Sequence, residues 1–287
     1  MGFYRNCCVI RGGRQDSSSM NAPRVIRSPK EWAVGRNLII AEVGQAPAFG
    51  VEFAVFRQKP GERTTHSDSK REQAFVLMSG SATITLDGVT QAVSRSSLFD
   101  SPPTCAHTAR GGTFTLEAGS QGAEWAVVAV TNPRAFEARI FLPGDVEEEW
   151  RGKGLVQEAS LRNVRLIFDS KSRPESKLVV GEVVNLAGRW SSYPPHHHAQ
   201  PELNHNRFTL PQGYGHAEMG EEVFKVYHGD TSFISPGKDH SQVAGPGYGM
   251  YYLWVVKHLE GSPYVGPEFT EEHKWLLDPT QQGWRPK

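Results

Sequence analysis

The segment formed by residues 73–93 constrains the fold most strongly, because its side chains follow the period of a β-strand. Residues 82–86 read Ala-Thr-Ile-Thr-Leu, so apolar and polar side chains alternate along them. Asp87 and Gly88 follow, and this pair is typical of a two-residue hairpin turn. The segment therefore predicts β structure over residues 73–86, with a turn at Ser79 and Gly80 between residues 74–78 and 82–86, and a tight hairpin turn into a further strand over residues 89–93.

Short runs of the same kind recur along the chain and are separated by turns. The sequence contains 29 glycines and 19 prolines, and apolar runs with a helical period are scarce. This pattern predicts an all-β chain whose strands form barrels or two-sheet sandwiches, with one short helix within residues 271–284. The other predicted strands are residues 38–43, 51–57, 113–117, 125–130, 162–168, 178–186, 222–227, 231–235 and 248–256.

Composition argues against several classes of partner. Lys and Arg number 31, and Asp and Glu also number 31, so the charge gives no reason to expect nucleic acid or an acidic membrane surface. Three cysteines without regular spacing do not form a disulfide framework, which favours a cytoplasmic protein. No apolar run approaches the ~20 residues that span a bilayer.

The N-terminal region does not have the pattern of a signal peptide. Basic residues occur near the start, but no apolar core follows them. Residues 1–23 are therefore expected to form a disordered extension, and Met20 is an alternative start to Met1.

A run of three histidines gives the strongest indication of chemistry. The ten residues that end at Glu202 read Tyr-Pro-Pro-His-His-His-Ala-Gln-Pro-Glu, and the two prolines favour an extended chain. Side chains alternate along a strand, so His196 and His198 should share one face while His197 points away. Glu202 and His240, which ends the turn Ser-Pro-Gly-Lys-Asp-His, complete a ligand set for one divalent ion. We expect zinc, with manganese or iron as alternatives.

The chain reads as two similar β units, each with a hairpin and a proline-bearing turn near a histidine. The predicted domains are residues 24–140 and residues 141–287. Seven of the eleven histidines lie within residues 196–240, so the metal site falls in the second domain. The first domain lacks such a ligand set, and its isolated His107 is expected to be a structural or surface histidine.

Residues 188–198 carry a resemblance to a known family. They read Gly-Arg-Trp-Ser-Ser-Tyr-Pro-Pro-His-His-His and resemble the signature of the 5-deoxyglucuronate isomerases, which are related to the 4-deoxy-5-hexosulose-uronate ketol-isomerases. A His-x-His pair, a glutamate and a histidine after a proline turn are also similar to the metal site of a cupin, a small jelly-roll β-barrel. Two such units in one chain resemble a bicupin. Further matches follow the family's order through nearly all of the chain after Arg24.

This resemblance implies a function and a ligand set. It implies two cupin domains and an aldose–ketose isomerase of inositol breakdown, which converts 5-deoxyglucuronate to 5-dehydro-2-deoxygluconate. It also implies that the metal ligands are His196, His198, Glu202 and His240.

The residues around the ligands depart from the family's usual set. Ala199 stands where an acidic residue is usual, and Trp254 stands where an asparagine is usual. Residues 203–206 read Leu-Asn-His-Asn in place of paired tyrosines and a histidine, and residues 215–222 are shorter than the usual loop. These changes leave three alternatives open, namely another uronate isomerase, a metal-dependent dioxygenase, and a non-catalytic sugar-binding bicupin.

Candidates for catalysis and substrate binding come from the same region. Isomerisation requires a proton-transferring group within hydrogen-bond reach of the substrate, and we expect Glu218 and Tyr252 to serve. Arg207, Tyr251 and Lys225 are expected to bind a small sugar acid. For each of these residues, surface exposure or core packing is the alternative reading. Open jelly-roll edges often pair, so we also expect a homo-oligomer.

Overall fold

The computed structural model describes residues 24–44 and 49–287, and its strands form three antiparallel sheets. The predicted extension over residues 1–23, with Met20, lies outside the described residues. Three short 3-10 helices accompany the sheets, and the last falls within the region where a helix is expected. Their bounds are Pro143–Asp145, Val156–Glu158 and Glu271–Leu277.

The first unit is built on one eight-stranded sheet that curls around its own core. The hairpin at Asp87 and Gly88 is confirmed, since Leu86 pairs with Val89. The turn expected at Ser79 and Gly80 is wrong, because one continuous strand over residues 71–86 passes through both residues and only shifts register there against the other long strand. The strands are β2 (Gly35–Ile40), β3 (Glu52–Gln58), β4 (Arg63–Ser67), β5 (Arg71–Leu86), β6 (Val89–Arg95), β7 (Cys105–Thr108), β8 (Thr113–Thr131) and β9 (Arg139–Phe141).

The predicted strands over residues 113–117 and 125–130 are one continuous strand, β8. Residues 119–122 between them read Gly-Ser-Gln-Gly. Gly122 adopts a φ of +80°, where an added Cβ would lie 2.5 Å from the carbonyl oxygen of Gln58. The glycine therefore permits a close approach inside the sheet, and the strand continues through it.

The second unit is built on two sheets that face each other. A seven-stranded sheet has the order β1 (Val25–Ile26), β17 (Thr231–Ile234), β14 (Glu202–Phe208), β19 (Met250–Lys257), β12 (Leu178–Asn185), β11 (Arg162–Phe168), β10 (Glu147–Arg151). A five-stranded sheet has the order β16 (Glu222–Tyr227), β15 (Tyr214–Met219), β18 (His240–Ala244), β13 (Trp190–His197), β20 (Glu268–Phe269).

The first strand crosses between the units. Val25 pairs with Ser232, so β1 extends the sheet of the second unit although it precedes the first unit in the chain. The expectation that residues 24–140 belong together therefore does not hold for this strand. The all-β prediction itself is confirmed.

The seven-stranded sheet is covered on both faces over its inner strands, which explains why β17, β14, β19, β12 and β11 are almost entirely buried. One face joins the five-stranded sheet around a core that includes Val183, Phe208 and Tyr252. The other face packs against the first unit, where Tyr251 and Leu253 share a larger core with residues of β3, β5 and β8. Successive residues of β19 therefore serve different cores, as strand alternation requires.

A buried carboxylate of the first unit holds a loop of the second unit. Glu72 on β5 accepts a hydrogen bond from Ser176 Oγ at 2.7 Å, and it also accepts one from the Asn132 amide. The same amide donates to the carbonyl of Glu175 at 2.9 Å. These bonds hold Glu175 and Ser176, near the end of the connection between β11 and β12 (residues 169–177), against the first unit.

His107 lies beside this carboxylate and is fully buried. Its ring stacks on Phe168 with centroids 4.2 Å apart, and its Nε2 lies 3.6 Å from Glu72 Oε1. Burial lowers the pKa of His107, although the Glu72 carboxylate opposes that shift. A neutral imidazole therefore packs at the junction between the two units.

Acidification should weaken the fold through His107. Because the pKa of His107 is lowered in the folded state, the unfolded chain takes up the proton first as the pH falls below about 6.5. The stability contributed by the neutral ring is complete above that pH and is lost below it. The His107→Gln variant should reduce the slope of unfolding free energy against pH by up to about 1.4 kcal/mol per pH unit.

Urea unfolding at a series of pH values below 6.5 measures this slope. The exposed His273 gives a matched control, and His273→Gln should retain the slope of the unmodified protein. Equal slopes for the His107→Gln variant and the unmodified protein would contradict the assignment.

No helix in the described ranges is long and apolar enough to cross a membrane. The expectations of a cytoplasmic location and of no nucleic-acid partner stay predictions.

Candidate metal centre

The four predicted ligands lie at one end of the second unit, where its two sheets meet. His196 and His240 are directly opposite each other on the paired strands β13 and β18. His198 follows the end of β13, and Glu202 is the first residue of β14 in the facing sheet. The site therefore draws its side chains from both sheets.

The distances describe a cluster compact enough for one ion. Glu202 Oε2 lies 3.0 Å from His198 Nε2 and 3.8 Å from His240 Nε2. Ligand atoms of these three buried residues all lie within 4.8 Å of one another. The His196 ring is adjacent, with its centroid 4.4 Å from that of His240 and 6.4 Å from that of His198.

Backbone carbonyls orient all three imidazole rings. The Nδ1 atoms lie 3.3, 2.8 and 3.2 Å from carbonyl oxygens in His196, His198 and His240 respectively. A carbonyl can only accept, so each Nδ1 carries a hydrogen; the neutral rings of His196 and His240 each present a lone pair at Nε2, whereas His198 Nε2 donates to Glu202 Oε2 at 3.0 Å. Protein metal sites orient ligating histidines in this way. His240 Nε2 is buried and has no hydrogen-bond partner among the described residues, so the donor set fits a divalent cation.

The electrostatics also favour a cation. Burial lowers the pKa of His196 to about 3, which keeps this ring neutral. Burial alone would raise the pKa of Glu202, but the His198 hydrogen bond and the other imidazoles lower it, so the carboxylate is ionised. Burial opposes charge on His198, but the hydrogen bond to Glu202, the charge of that carboxylate and the carbonyl of Gln200 together raise the pKa of His198. The carboxylate thus attracts a positive charge to the cluster.

His197 points away from the cluster, as strand alternation indicates. Its Nδ1 lies 2.7 Å from Asp239 Oδ1, and its Nε2 lies 3.6 Å from Glu268 Oε2. The ring is partly exposed and lies on the outer face of β13.

A cavity of about 460 Å³ opens beside the cluster and is large enough for a small sugar acid. Tyr252 lines it together with His196 and Glu202. The Tyr252 hydroxyl lies 2.6 Å from Ser191 Oγ, and burial raises the pKa of this phenol. The hydroxyl is therefore protonated at neutral pH and can share its hydrogen with a bound oxygen.

The other four predicted catalytic or substrate-binding residues do not line this cavity. Arg207 donates to Glu124 of the first unit at 2.8 Å, and Tyr251 donates to Glu182 at 2.6 Å. Both side chains leave the opposite face of the seven-stranded sheet.

Glu218 and Lys225 also lie elsewhere. Glu218 accepts a hydrogen bond from Ser241 Oγ at 2.5 Å, on the strand pair that carries His240. Lys225 lies on the outer strand β16 with its Nζ 4.1 Å from the Tyr214 ring centroid. Of the five residues, only Tyr252 faces the cavity.

Sequence reasoning missed several residues that line the cavity, including Arg162, Trp254 and Tyr264. Arg162 and Val164 lie one strand period apart on β11, which was predicted as a strand. Strand alternation predicts that both side chains share one face of the sheet. Which face borders the cavity depends on the order of the strands.

Two antiparallel β rolls, one of which carries a His–Glu–His cluster beside a cavity, define a bicupin with a candidate site for a divalent metal. A family comparison agrees with this class. Residues 28–276 match the model of the KduI/IolB family, and the chain belongs to that family.

Sequence relatives in this family are named as isomerases. The chain is 29% identical over 252 residues to a 5-deoxy-glucuronate isomerase of Geobacillus kaustophilus, a match that covers 79% of this chain and 86% of the relative. It is 28% identical over 247 residues to the 5-deoxy-glucuronate isomerase of Bacillus subtilis, covering 79% and 88%. The prediction of an isomerase is confirmed.

Solved structures support the fold. An IolB-like protein from Salmonella typhimurium aligns with a TM-score of 0.74 at 24% identity, covering 90% of this chain and 100% of that one. An oxalate decarboxylase from Lactobacillus farciminis aligns with a TM-score of 0.56 at 15% identity, covering 77% and 80%. At these identities the likeness concerns the arrangement of strands.

Proposed function

We propose that the protein is a metal-dependent aldose–ketose isomerase that converts 5-deoxyglucuronate to 5-dehydro-2-deoxygluconate in inositol breakdown. The observation that carries the proposal is the compact cluster of His198, Glu202 and His240, with the His196 ring beside it, next to a cavity of about 460 Å³ that His196 and Glu202 line. The names of the sequence relatives support the substrate.

Three imidazoles and one carboxylate favour zinc, with manganese and iron as alternatives. His196, His198, Glu202 and His240 would hold the ion. Bound there, it would polarise the substrate carbonyl and stabilise negative charge on the oxygen.

Tyr252 is the best-placed of the two predicted catalytic residues. Its protonated phenol faces the cavity and can donate a hydrogen bond to a substrate oxygen that gains negative charge. The Ser191 hydroxyl lies 2.6 Å from the Tyr252 oxygen. It can donate a hydrogen bond to that oxygen or accept one from it. Glu218 would have to act from outside the cavity, beyond His240, so the geometry supports it less.

The test is an assay of the metal-loaded protein with 5-deoxyglucuronate, with glucuronate as a related acid. Proton NMR should show the aldose signal disappearing as the ketose signal grows, without oxygen uptake at an electrode. Iron-dependent oxygen uptake would identify an oxygenase instead. Binding of both acids without interconversion would identify a sugar-binding bicupin.

A homo-oligomer in the cytoplasm is also part of this proposal. The outermost strand of the seven-stranded sheet, β10, is exposed along its whole length, and exposed edges are sites of strand pairing.

A further inference from the structure

The cavity contains a buried arginine that has no carboxylate partner. Arg162 has 7% of its surface exposed and faces the same space as His196 and Glu202. Its Nη1 donates to the carbonyl of Ser160 at 2.8 Å, and its Nη2 donates to the carbonyl of Tyr193 at 3.2 Å. Within the described part of the chain it forms no ion pair. Buried charges are normally paired, so this guanidinium is suited to an anionic ligand.

Two other basic side chains, Arg151 and Lys171, line the cavity, but both are exposed. The Arg151 side chain is exposed and its Nε donates to Glu149 at 2.7 Å. Lys171 lies exposed on the loop between β11 and β12. A hydrated or already paired cation gains little from a further ion pair, whereas a buried, unpaired one gains more.

The strand that carries His196 also fixes the position of Arg162. The guanidinium donates to the carbonyl of Tyr193, and His196 Nδ1 lies 3.3 Å from the carbonyl of Pro194, the next residue. Consecutive carbonyls of β13 therefore hold the arginine and the first candidate ligand. A molecule bound to Arg162 would have a fixed direction relative to the metal cluster.

The cavity wall offers a second donor without a partner. Trp254 Nε1 is buried and makes no hydrogen bond with any described residue. Its indole lies over Gly181, where an added Cβ would come within 2.6 Å of the ring. A polyhydroxylated ligand can satisfy this N–H group with a hydroxyl oxygen.

We propose that Arg162 binds the carboxylate of the sugar acid and thereby orients its carbon chain toward His196 and Glu202. This assignment rests on the proposed function. A planar guanidinium matches a carboxylate through paired, charge-assisted hydrogen bonds, and burial strengthens them. A sugar with a neutral group in place of the carboxylate would leave the arginine unpaired, so Arg162 determines the preference for an acid.

Calorimetric binding of D-gluconate and of its neutral counterpart D-glucitol to the metal-loaded protein tests this role without turnover. Replacing Arg162 with Gln should weaken gluconate binding by about 30-fold or more and leave glucitol binding within about twofold. The Arg162→Lys variant keeps the charge but loses the planar pair of donors. Its affinity for gluconate should therefore lie between those of the unmodified protein and the Arg162→Gln variant. It also supplies a folded comparison if the Gln variant is unstable.

Arg151→Gln and Lys171→Gln are the matched comparisons, and each should weaken gluconate binding by no more than about fivefold. The proposal is overturned if either has the larger effect, if Arg162→Lys or Arg162→Gln weakens both ligands equally, or if the unmodified protein binds gluconate no better than glucitol. Arg162-dependent binding of gluconate without isomerisation of 5-deoxyglucuronate would contradict the proposed function alone.

Discussion

Replacing both His196 and His198 with alanine should reduce bound metal from about one ion per chain to background. The two rings supply half of the candidate ligand set, and a site left with Glu202 and His240 has too few donors to retain an ion. Isomerase activity should fall by about 10³-fold or more, because metal polarisation contributes several kcal/mol to such reactions. Elemental analysis and the isomerase assay measure the two effects.

His197→Ala is the matched control, because this ring lies between the two ligands in sequence but faces outward toward Asp239. It should keep its metal and most of its activity. Stoichiometric metal in the double variant would show that the ligand assignment is wrong. Loss of metal with full activity would show that isomerisation does not require the ion.

Replacing Glu182 with Gln should destabilise the protein by about 3 kcal/mol or more. Glu182 is fully buried and receives two hydrogen bonds of 2.7 Å from Arg95 and one of 2.6 Å from the Tyr251 hydroxyl. Removal of its charge leaves the buried guanidinium without its counter-ion, which is one of the costliest changes in a protein core. The melting temperature should fall by roughly 10 °C.

Glu117→Gln removes a carboxylate from an exposed ion pair with Arg63 and should cost no more than about 1 kcal/mol. Thermal and urea unfolding compare the two variants. Because Glu182 faces the first unit and not the cavity, the folded Glu182→Gln protein should still bind metal. A loss of stability no greater than that of Glu117→Gln would show that the buried pair contributes little.

Local side-chain directions could be predicted from the sequence because they depend only on the strand period. His196 and His198 point to the same side of the strand while His197 points outward. Strand alternation alone predicts this arrangement of the two candidate ligands. Alternation also places Tyr252 toward the cavity and Tyr251 toward the first unit. The same rule places Arg207 on the face opposite to Glu202, because it lies an odd number of residues after Glu202 on one strand.

Contacts between distant strands could not be predicted in this way. Arg162 precedes the histidine run by more than thirty residues, and only the order of β11, β12 and β19 shows that it shares a cavity with Tyr252. Glu218 is near the ligands in sequence, but this nearness does not determine the direction of its side chain. Its neighbours Ala217 and Met219 take the buried positions of β15, and the glutamate therefore turns outward.

Glu72 and Asn132 of the first unit hold residues 175–177, which end the connection between β11 and β12 in the second unit. Residues 169–172 of that connection border the cavity, yet the bonds that hold it come from a barrel whose described residues contain no cluster of metal-binding groups. The first unit therefore supports a segment that borders the candidate site. Substitutions of Glu72 or Asn132 should alter the edge of the cavity although neither residue lines it.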